Sequence, residues 1–476
     1  MARIELKDFN LGGIADSDYL GAKGSVAEMV GLDIHSIAGI VRLNQKLTKD
    51  SGSTVDDFVK ASVSCSDTST YHFGSTNGKV FKRTSGGTWS VEATVAPAAG
   101  AIGILGAMEY QGYIYYAMQS RLGRWQIGTA WSGRDDNWAT FTNTDADFHP
   151  MRIVNLVLYI GDKHFVAQVD AGTFSANALD IKQPLRIKCL GRMDTDLLIG
   201  TYVSDNVTET EILRWNTWSV SYSVADTIPE VGVNAFLEMD NVTLINAGTK
   251  GNLYEYDGYK ASLKKTIKGD WSSTNKAAVH PNAAMNFHGM PLFGLSQITG
   301  TGVNLGVYSY ARTNANYPFV LNLEFPISER NSGAYYLTGI EIGAIIGVGD
   351  IFLVSWKRGS TYGVDKLDLT LKLESGYLIT RVASVDRIAQ DNYGQVYVPY
   401  RTLPAATSIK VYRKVNHAAT FTEFDASAEM VTDTDRMMRH SNIDIGAANT
   451  VQVKTELTTS TNDTPEVEST IFEVSK

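Results

Sequence analysis

The sequence predicts an all-β fold: a β-propeller of about seven blades followed by a small antiparallel β-sandwich. The first observation behind this prediction is a strand–turn–strand pattern that recurs about seven times before residue 370. The second is the spacing of the copies, which start between 39 and 60 residues apart. The third is the composition, because 42 Gly, 23 Tyr and only 11 Pro residues fit short strands separated by tight turns.

The clearest copy of the pattern is Tyr71–Thr84, YHFGSTNGKVFKRT. Two alternating strands flank a Ser-Thr-Asn-Gly turn, and Asn77-Gly78 supplies the positive φ angles that such a turn needs. Six similar hairpins follow, at Tyr113–Ile127, Leu158–Asp170, Leu197–Trp215, Thr243–Asp257, Leu292–Arg312 and Phe352–Leu369.

The period of the copies indicates the architecture. Four short strands with their turns take about 40–50 residues, which is the length of a propeller blade. An apolar strand precedes most hairpins, for example Ile187–Leu190 and Ala235–Met239. Sheets placed radially around a channel bury their faces against each other and leave no long strand edge exposed. We assign residues 61–374 to the propeller, while the longer last interval leaves six or eight blades open.

Residues 1–60 are predicted to form an N-terminal arm that leads into the propeller. The segment is rich in Gly and Ser and has only short apolar runs. We expect a short helix at most, across Val26–Met29, and a strand around Ile40–Leu43. Such an arm either closes a ring of repeats or lies against a neighbouring subunit.

Residues 375–476 break the period and are predicted to form the β-sandwich. Strands are expected at Val396–Tyr400, Ser408–Arg413, Val451–Thr458 and Glu468–Val474. The polar stretch Asp425–Ile445 is expected to be a loop or a short helix.

Charge and hydropathy exclude several classes of protein. A net charge of −9 offers no basic face for phosphates, so we expect no specific nucleic-acid binding. The first ten residues lack the apolar core of a signal peptide. The most apolar later run, Ile340–Trp356, is interrupted by charges and glycines and predicts no membrane span. The two cysteines, Cys65 and Cys189, are expected to be buried and reduced, as in a protein made in a cytosol.

Two groups of residues are candidates for chemistry on a glycan. Carboxylate pairs occur at Asp135-Asp136 and around Asp433 and Asp435. Glycoside hydrolysis needs two carboxyl groups about 5–10 Å apart across a sugar, whereas adjacent residues point in divergent directions, so we favour solvated loop charges. The aromatic residues beside the first pair could stack on a sugar ring, but we favour a role in filling the gap between two blades: Trp131, Trp138 and Phe141.

The segment Lys82–Trp89, KRTSGGTW, resembles half of the Asp-box turn of sialidase-type propellers. Gly86, Thr88 and Trp89 match that pattern, whereas Lys82 and Thr84 replace its Ser and Asp. Since that box is a structural turn remote from catalysis, the resemblance implies a Gly-rich turn with one packed Trp.

Metal and cofactor motifs are missing from the sequence. The eight histidines have no metal-ligand spacing, and Thr144–Asp147 lacks the Gly and the distal Glu of a calcium loop. Gly300–Gly302 lies inside a hairpin, so it is no dinucleotide fingerprint, and no Gly-x-Ser-x-Gly elbow is present. We therefore assign no catalytic, cofactor-binding or metal-binding residue, and predict a protein that is not an enzyme and needs no cofactor.

Two stretches resemble structural proteins of tailed-bacteriophage virions, particularly tail components. One is GLDIHSIAGIVRLNQKLTKDSGSTVDDFV (31–59), which leads into the hairpin YHFGSTNGKVFKRTSGGTW. The other is VQVKTELTTSTNDTPEVESTIFEVS (451–475), similar to the closing strands of accessory sandwich domains in such proteins. The resemblance implies a non-enzymatic homo-oligomeric ring in the virion tail, such as a nozzle, hub or adaptor, assembled with other tail proteins in the host cytoplasm. The alternative is a propeller that binds a carbohydrate or receptor, with a host-surface glycan as partner, or less favourably a glycan hydrolase.

Overall fold

The computed structural model describes residues 2–95, 103–203, 208–239, 242–300, 305–329, 339–384, 392–424, 436–446 and 448–475. Strands dominate the fold, and its helical elements are the single turn Phe9–Gly12 and the 3₁₀ turn Trp131–Gly133 among these residues. The chain forms two compact units. The propeller unit comprises Thr48–Gly306 and Ile327–Leu367, and the sandwich unit comprises Met1–Leu47, Val307–Pro326 and Asp368–Lys476.

The propeller unit contains a succession of antiparallel sheets, which we call blades. Blade 1 is Val59–Ser64, Thr70–Gly74, Lys79–Arg83 and Trp89–Thr94; blade 2 is Gly106–Tyr110, Tyr113–Ala117, Arg121–Gln126 and Asp135–Thr140; blade 3 is Met151–Val154, Val157–Asp162, Phe165–Asp170 and Thr173–Asp180. Blade 4 is Arg186–Met193, Asp196–Tyr202, Thr210–Trp215 and Ser223–Ile228, and blade 5 is Val233–Glu238, Thr243–Ala247, Asn252–Tyr256 and Ala261–Thr266.

Two further blades complete the ring. Blade 6 contributes the strands Lys276–Phe287 and Met290–Thr299 to this unit. Blade 7 is Ile340–Val348, Ile351–Arg358 and Thr361–Lys372, with Gln45–Lys49 as its fourth strand. The N–H groups of Asp50 and Ser51 both donate to the Val364 carbonyl at the end of that fourth strand. A strand from the N-terminal arm therefore completes the last blade.

The first strand of each blade, which we call its inner strand, contacts the inner strand of the next blade. The inner strand of blade 7 in turn contacts that of blade 1, which closes the ring. The approach is so close that a Cβ atom at Gly343 would lie 1.9 Å from the Val59 carbonyl oxygen. Glycine is required there because any side chain would collide with this backbone. The predicted propeller is confirmed, with seven blades.

The hydrophobic cores of this unit lie between adjacent blades. Between blades 1 and 2, for example, Tyr71 and Phe73 pack with Trp125 and Trp131. Val59 and Phe81 of blade 1 pack with Leu353 and Val364 of blade 7 in the same way. The alternating strands explain this arrangement, because side chains on both faces of a sheet meet a neighbouring sheet.

The sandwich unit has two sheets. One has the strand order Ala2–Leu6, Thr470–Ser475, Asn392–Thr402 and Met437–Gly446, with Glu466–Val467 beside Asn392–Thr402. The other runs through Gly306–Ala311, Val320–Phe325, Glu28–Val30, Ser375–Ile379, Thr450–Thr459, Thr407–Val415 and Thr422–Glu423, with Ala383–Ser384 beside Thr450–Thr459. A short pair, Leu32–Asp33 and Arg42–Leu43, completes the unit. The sheets meet where Thr455 and Thr470 share a hydrogen bond of 2.9 Å and where Phe424 contacts Phe472.

Two local predictions were wrong. Glu28–Val30 is a strand rather than part of a helix across Val26–Met29, because it pairs with Ser375–Ile379 and, through Val30, with Leu323. Within Asp425–Ile445, residues 437–445 belong to the strand Met437–Gly446, which pairs with Asn392–Thr402. Residues 425–435 lie outside the described part of the chain. In both cases a distant strand provides the hydrogen-bond partners, which local composition does not reveal.

Candidate functional site

In the described part of the chain, the inner strands of the propeller unit line at least two cavities. The larger, of ≈ 440 Å³, is lined mostly by apolar side chains and by the ion pair between Arg152 and Glu238. The smaller, of ≈ 360 Å³, lies nearer the beginnings of the inner strands, and we call it the lysine pocket. Its defining side chains are Phe58, Lys60, Phe148, Lys188, His280, Gln297 and Glu341.

The inner strands place the polar groups of the lysine pocket. Lys60 follows Val59 in blade 1, and Lys188 stands between Ile187 and Cys189 in blade 4. Since side chains alternate along a strand, the apolar neighbours of each lysine enter the cores between blades while the lysine itself faces the channel. His280 reaches the same cavity from blade 6.

The ammonium groups of the pocket lie beside aromatic rings. The Nζ atom of Lys188 is 5.3 Å from the centre of the Phe148 ring and donates to Asn234 Oδ1 at 2.6 Å. The Nζ atom of Lys60 is 5.6 Å from the centre of the Phe58 ring. Such cation–π contacts favour the charged form of lysine only modestly at partly exposed positions.

Burial weakens the basicity of these groups. It lowers the pKa of Lys188 to about 8 and also lowers the pKa of Lys60, although the Glu341 carboxylate partly offsets the second effect. The pKa of His280 falls well below its usual value, first through burial and then through the charges of Lys60 and Lys188. At neutral pH the pocket therefore holds two ammonium groups and an uncharged imidazole.

The charged side chains of the pocket can attract a charged ligand. Glu341, a carboxylate that lines the pocket, forms an ion pair of 2.7 Å with Lys357. Among the described residues, no group of three or more His, Cys, Asp or Glu side chains could hold a metal ion. The chemistry that these residues offer is attraction of an anion to two partly buried ammonium groups.

A second feature is a patch of exposed apolar side chains on the turns of blades 3, 4 and 5. Leu156, Trp218, Val220 and Tyr259 are 83%, 84%, 98% and 88% exposed. All four lie on connections between strands one and two or strands three and four, which fall at the same end of an antiparallel sheet. We call these residues the apolar turn face.

Direct contacts bring these turns together. Asn155, beside Leu156 in blade 3, donates through Nδ2 to the Thr195 carbonyl and to Thr217 Oγ1 in blade 4, at 2.9 and 3.2 Å. A Cβ atom at Gly258 of blade 5 would lie 2.8 Å from Met193 Cε of blade 4. The turns that carry the apolar turn face are thus neighbours, at the end of the blades opposite to the lysine pocket.

Of the carboxylates singled out in the sequence, Asp136 has structural partners. Asp136 accepts hydrogen bonds from the Tyr116 hydroxyl at 2.6 Å and from Arg134 Nε at 2.9 Å, whereas Asp135 is exposed. Asp433 and Asp435 lie outside the described residues.

The neighbouring aromatic residues pack between blades. Trp131 stacks on Trp125, with ring centres 4.4 Å apart and planes 8° from parallel. Trp138 contacts Phe174 of blade 3, and Phe141 stacks on His149 at 4.2 Å. These rings fill gaps between blades, and both Trp131 and Phe141 are too deeply buried to face a sugar.

Replacing Trp131 by phenylalanine should destabilise the protein by about 1–2 kcal/mol, because ring area and the stack on Trp125 are lost. The indole N–H of Trp131 has no hydrogen-bond partner among the described residues, so its removal offsets part of the loss. Urea unfolding measures the change. The exposed Trp218→Phe is the control and should shift stability by less than about 0.5 kcal/mol; equal effects of the two variants would contradict the packing role.

The segment Lys82–Trp89 is a turn between the third and fourth strands of blade 1. The Thr88 N–H donates to Thr84 Oγ1 at 3.1 Å, and the Thr84 N–H donates to the Thr88 carbonyl at 2.9 Å. Trp89 contacts His72 and donates through Nε1 to Asp50 at 2.8 Å. These contacts close the turn and pack Trp89 against its neighbours, as expected for a turn with one packed Trp.

The remaining motifs also have structural surroundings. Asp145 pairs with Lys163 at 2.5 Å, and Asp147 accepts a hydrogen bond of 3.0 Å from the Tyr202 hydroxyl. Gly300 has a φ of 79° at the end of a strand, while Gly302 lies outside the described residues. Cys65 and Cys189 are free and buried, and burial raises the pKa of both thiols.

No protein-family model and no curated protein sequence matches the chain. Similar solved structures include an extracellular domain assigned to a one-component system of B. thetaiotaomicron (12% identity, TM-score 0.46, covering 83% of this chain and 48% of that one). Streptogramin B lyase also matches, with 10% identity and a TM-score of 0.45, and the match covers 68% of this chain and 97% of that one. An exo-β-1,3-galactanase from Phanerochaete chrysosporium matches with 9% identity and a TM-score of 0.33, over 91% of this chain and 100% of that one. The chain spans about half the length of the first of these domains, and identities this low concern the fold alone. No helix in the described part of the chain is long and apolar enough to cross a membrane.

Proposed function

We propose that this chain is a non-enzymatic structural protein of a phage virion tail, which assembles with its neighbours through the apolar turn face. The observation that carries the proposal is the exposure of Trp218, Val220 and Tyr259 on neighbouring turns of blades 4 and 5. Contiguous exposed apolar side chains mark interaction sites, and Trp and Tyr are enriched among the residues that dominate binding energy at interfaces. The resemblance of the two terminal stretches to tail components supports the same role, with a homo-oligomeric ring as the assembled form.

The test combines purified virions with interface variants. Mass spectrometry of virions that encode the chain should find it in mature particles, and electron microscopy of the purified protein should show symmetric rings. The double variant Trp218→Ser/Val220→Ser should lose ring formation while its unfolding free energy changes by less than about 1 kcal/mol, because both side chains are exposed.

Val91→Ser provides the matched control, since Val91 is also exposed but lies on the outer strand of blade 1. It should assemble like the wild type. Absence of the chain from mature particles would overturn the virion role, and rings that form equally well in the double variant would overturn the assignment of the interface.

A second candidate function is that of a propeller that binds a carbohydrate or another receptor ligand. The lysine pocket supports this alternative, because a cavity within the ring combines two ammonium groups with aromatic rings. It lies at the end opposite to the apolar turn face, so a tail component could use both surfaces.

A further inference from the structure

We infer that the lysine pocket binds a small organic anion, in which a carboxylate or phosphate group is carried on a body of about monosaccharide size. The inference rests on the ligand-binding alternative above and is independent of the assembly role. A cavity of ≈ 360 Å³ falls within the range of small-molecule sites.

The charges of the pocket favour an anion. Neither Lys60 nor Lys188 has a carboxylate oxygen within 4.0 Å among the described residues. Glu341 also lines the pocket, but it pairs with Lys357, so the two pocket lysines leave this site positively charged in a chain whose net charge is −9. An ammonium group held away from bulk water gains most from an oppositely charged partner, and a bound oxyanion would provide one for both lysines.

The rest of the lining favours a body with CH groups. Phe58 and Phe148 present aromatic rings beside the two ammonium groups, and Ala278, Val279 and Ile342 add apolar surface. The amide of Gln297 and the uncharged His280 supply hydrogen-bonding groups for hydroxyls. Inorganic phosphate would use the lysines but leave this apolar lining unfilled.

Isothermal titration calorimetry with four probes tests the inference: glucuronate, glucose 6-phosphate, inorganic phosphate and glucose. Glucuronate or glucose 6-phosphate should bind at least about tenfold more tightly than inorganic phosphate or glucose, and whichever is tighter tells which head group the pocket prefers. Lys60→Met and Lys188→Met should each weaken that binding by about 10- to 100-fold, because each removes a hydrogen bond to a charged group. Lys264→Met is the control, since Lys264 pairs with Glu255 on the outer part of blade 5.

Binding of neither organic anion at about 10 mM, or equal affinity in the wild type and the Lys60→Met/Lys188→Met double variant, would overturn the inference. The inference would also be overturned if inorganic phosphate bound as tightly as the organic anions. NMR of the wild type with lysine labelled at Cε provides a second readout that needs no variant. The Lys188 signal, whose pKa burial lowers to about 8, should titrate at higher pH once the anion is bound.

The two proposals fail separately. The double lysine variant should still enter rings and virions, whereas the Trp218→Ser/Val220→Ser variant should still bind the organic anion. Loss of both properties in either variant, with the fold intact by circular dichroism, would contradict the separation of the two surfaces.

Discussion

Replacing Glu324 by glutamine is expected to stabilise the protein by about 2–4 kcal/mol at pH 8 while having little effect near pH 4.5. Glu324 is 4% exposed, and burial followed by the charge of Asp33 raises its pKa to about 8. Its Oε2 atom lies 3.8 Å from Nε2 of His35, whose own pKa burial lowers to about 4. The Glu324 carboxyl group and the His35 imidazole, which both belong to the sandwich unit, are therefore uncharged at neutral pH.

The sign of the pH effect follows from where the proton is held. Between pH 4.5 and pH 8 the unfolded chain has lost the Glu324 proton while the folded protein keeps it, so stability falls as pH rises. Each pH unit costs about 1.4 kcal/mol, and glutamine avoids this cost because it carries no charge. The new amide N–H groups need partners in a buried position, which removes about 1 kcal/mol of the gain.

Chemical denaturation at several pH values between 4.5 and 8 measures this effect as the difference between the variant and the wild type. The difference isolates Glu324 from other titrating groups, such as Asp365, whose pKa burial raises to about 6. Glu473→Gln is the control, because Glu473 is more exposed and pairs with Arg3. A Glu324→Gln variant with the same pH dependence as the wild type would show that the carboxyl group is not held protonated.

The hairpins of the propeller were predictable because their signals are local. Tyr71–Thr84 combines alternation with a turn, and the structure places its strands at Thr70–Gly74 and Lys79–Arg83 with a φ of 69° at Gly78. The copies correspond to the second and third strands of the blades. Partners from distant parts of the chain were harder to predict: pairing with Ser375–Ile379 makes Glu28–Val30 a strand despite a composition that also suits a helix.

The lysine pocket was not predicted, and the reason is physical. Lys60, Lys188 and His280 lie on strands that carry other polar residues as well, so nothing in the sequence singles them out. Each has an apolar neighbour along its strand, and this alternation usually places the polar residue on the solvent side of a sheet. Only the closure of the ring turns this side into the wall of a channel, and closure depends on contacts between blade 7 and blade 1. The signal that could have predicted the pocket is position along the chain. All three residues lie on the strand that precedes a hairpin, and this strand becomes the inner strand of its blade.

The closure itself leads to the second large effect: Asp50→Ala should destabilise the protein by about 2–4 kcal/mol. The Asp50 side chain is 6% exposed and accepts hydrogen bonds from Arg83 Nε at 2.5 Å and Trp89 Nε1 at 2.8 Å, both in blade 1. It also lies 3.3 Å from Lys366 of blade 7. Removing this carboxylate leaves a buried guanidinium without its partner at the joint between the first and last blades.

The pH dependence of this contribution is opposite to that of Glu324. Burial alone would raise the pKa of Asp50, but the hydrogen bonds from Arg83 and Trp89 and the Arg83 charge lower it below 3.8. The stabilisation is therefore fully present above the unfolded pKa and is lost as pH falls through the lower folded value. Urea unfolding at pH 7 measures it, with Asp56→Ala as the control, since Asp56 forms an exposed pair with Lys79 worth less than about 1 kcal/mol.

Hydrogen exchange should locate the effect of Asp50→Ala at the joint. If Asp50 holds blades 1 and 7 together, the amide protons of Val59–Ser64 and Ile351–Arg358 should lose protection first, while those of Val233–Glu238 in blade 5 keep theirs. Equal loss in all three strands would mean that the ring opens only by global unfolding. A local loss would instead show that the joint completed by the N-terminal strand is the least stable part of the ring, and that its stability controls the channel wall to which Lys60 belongs.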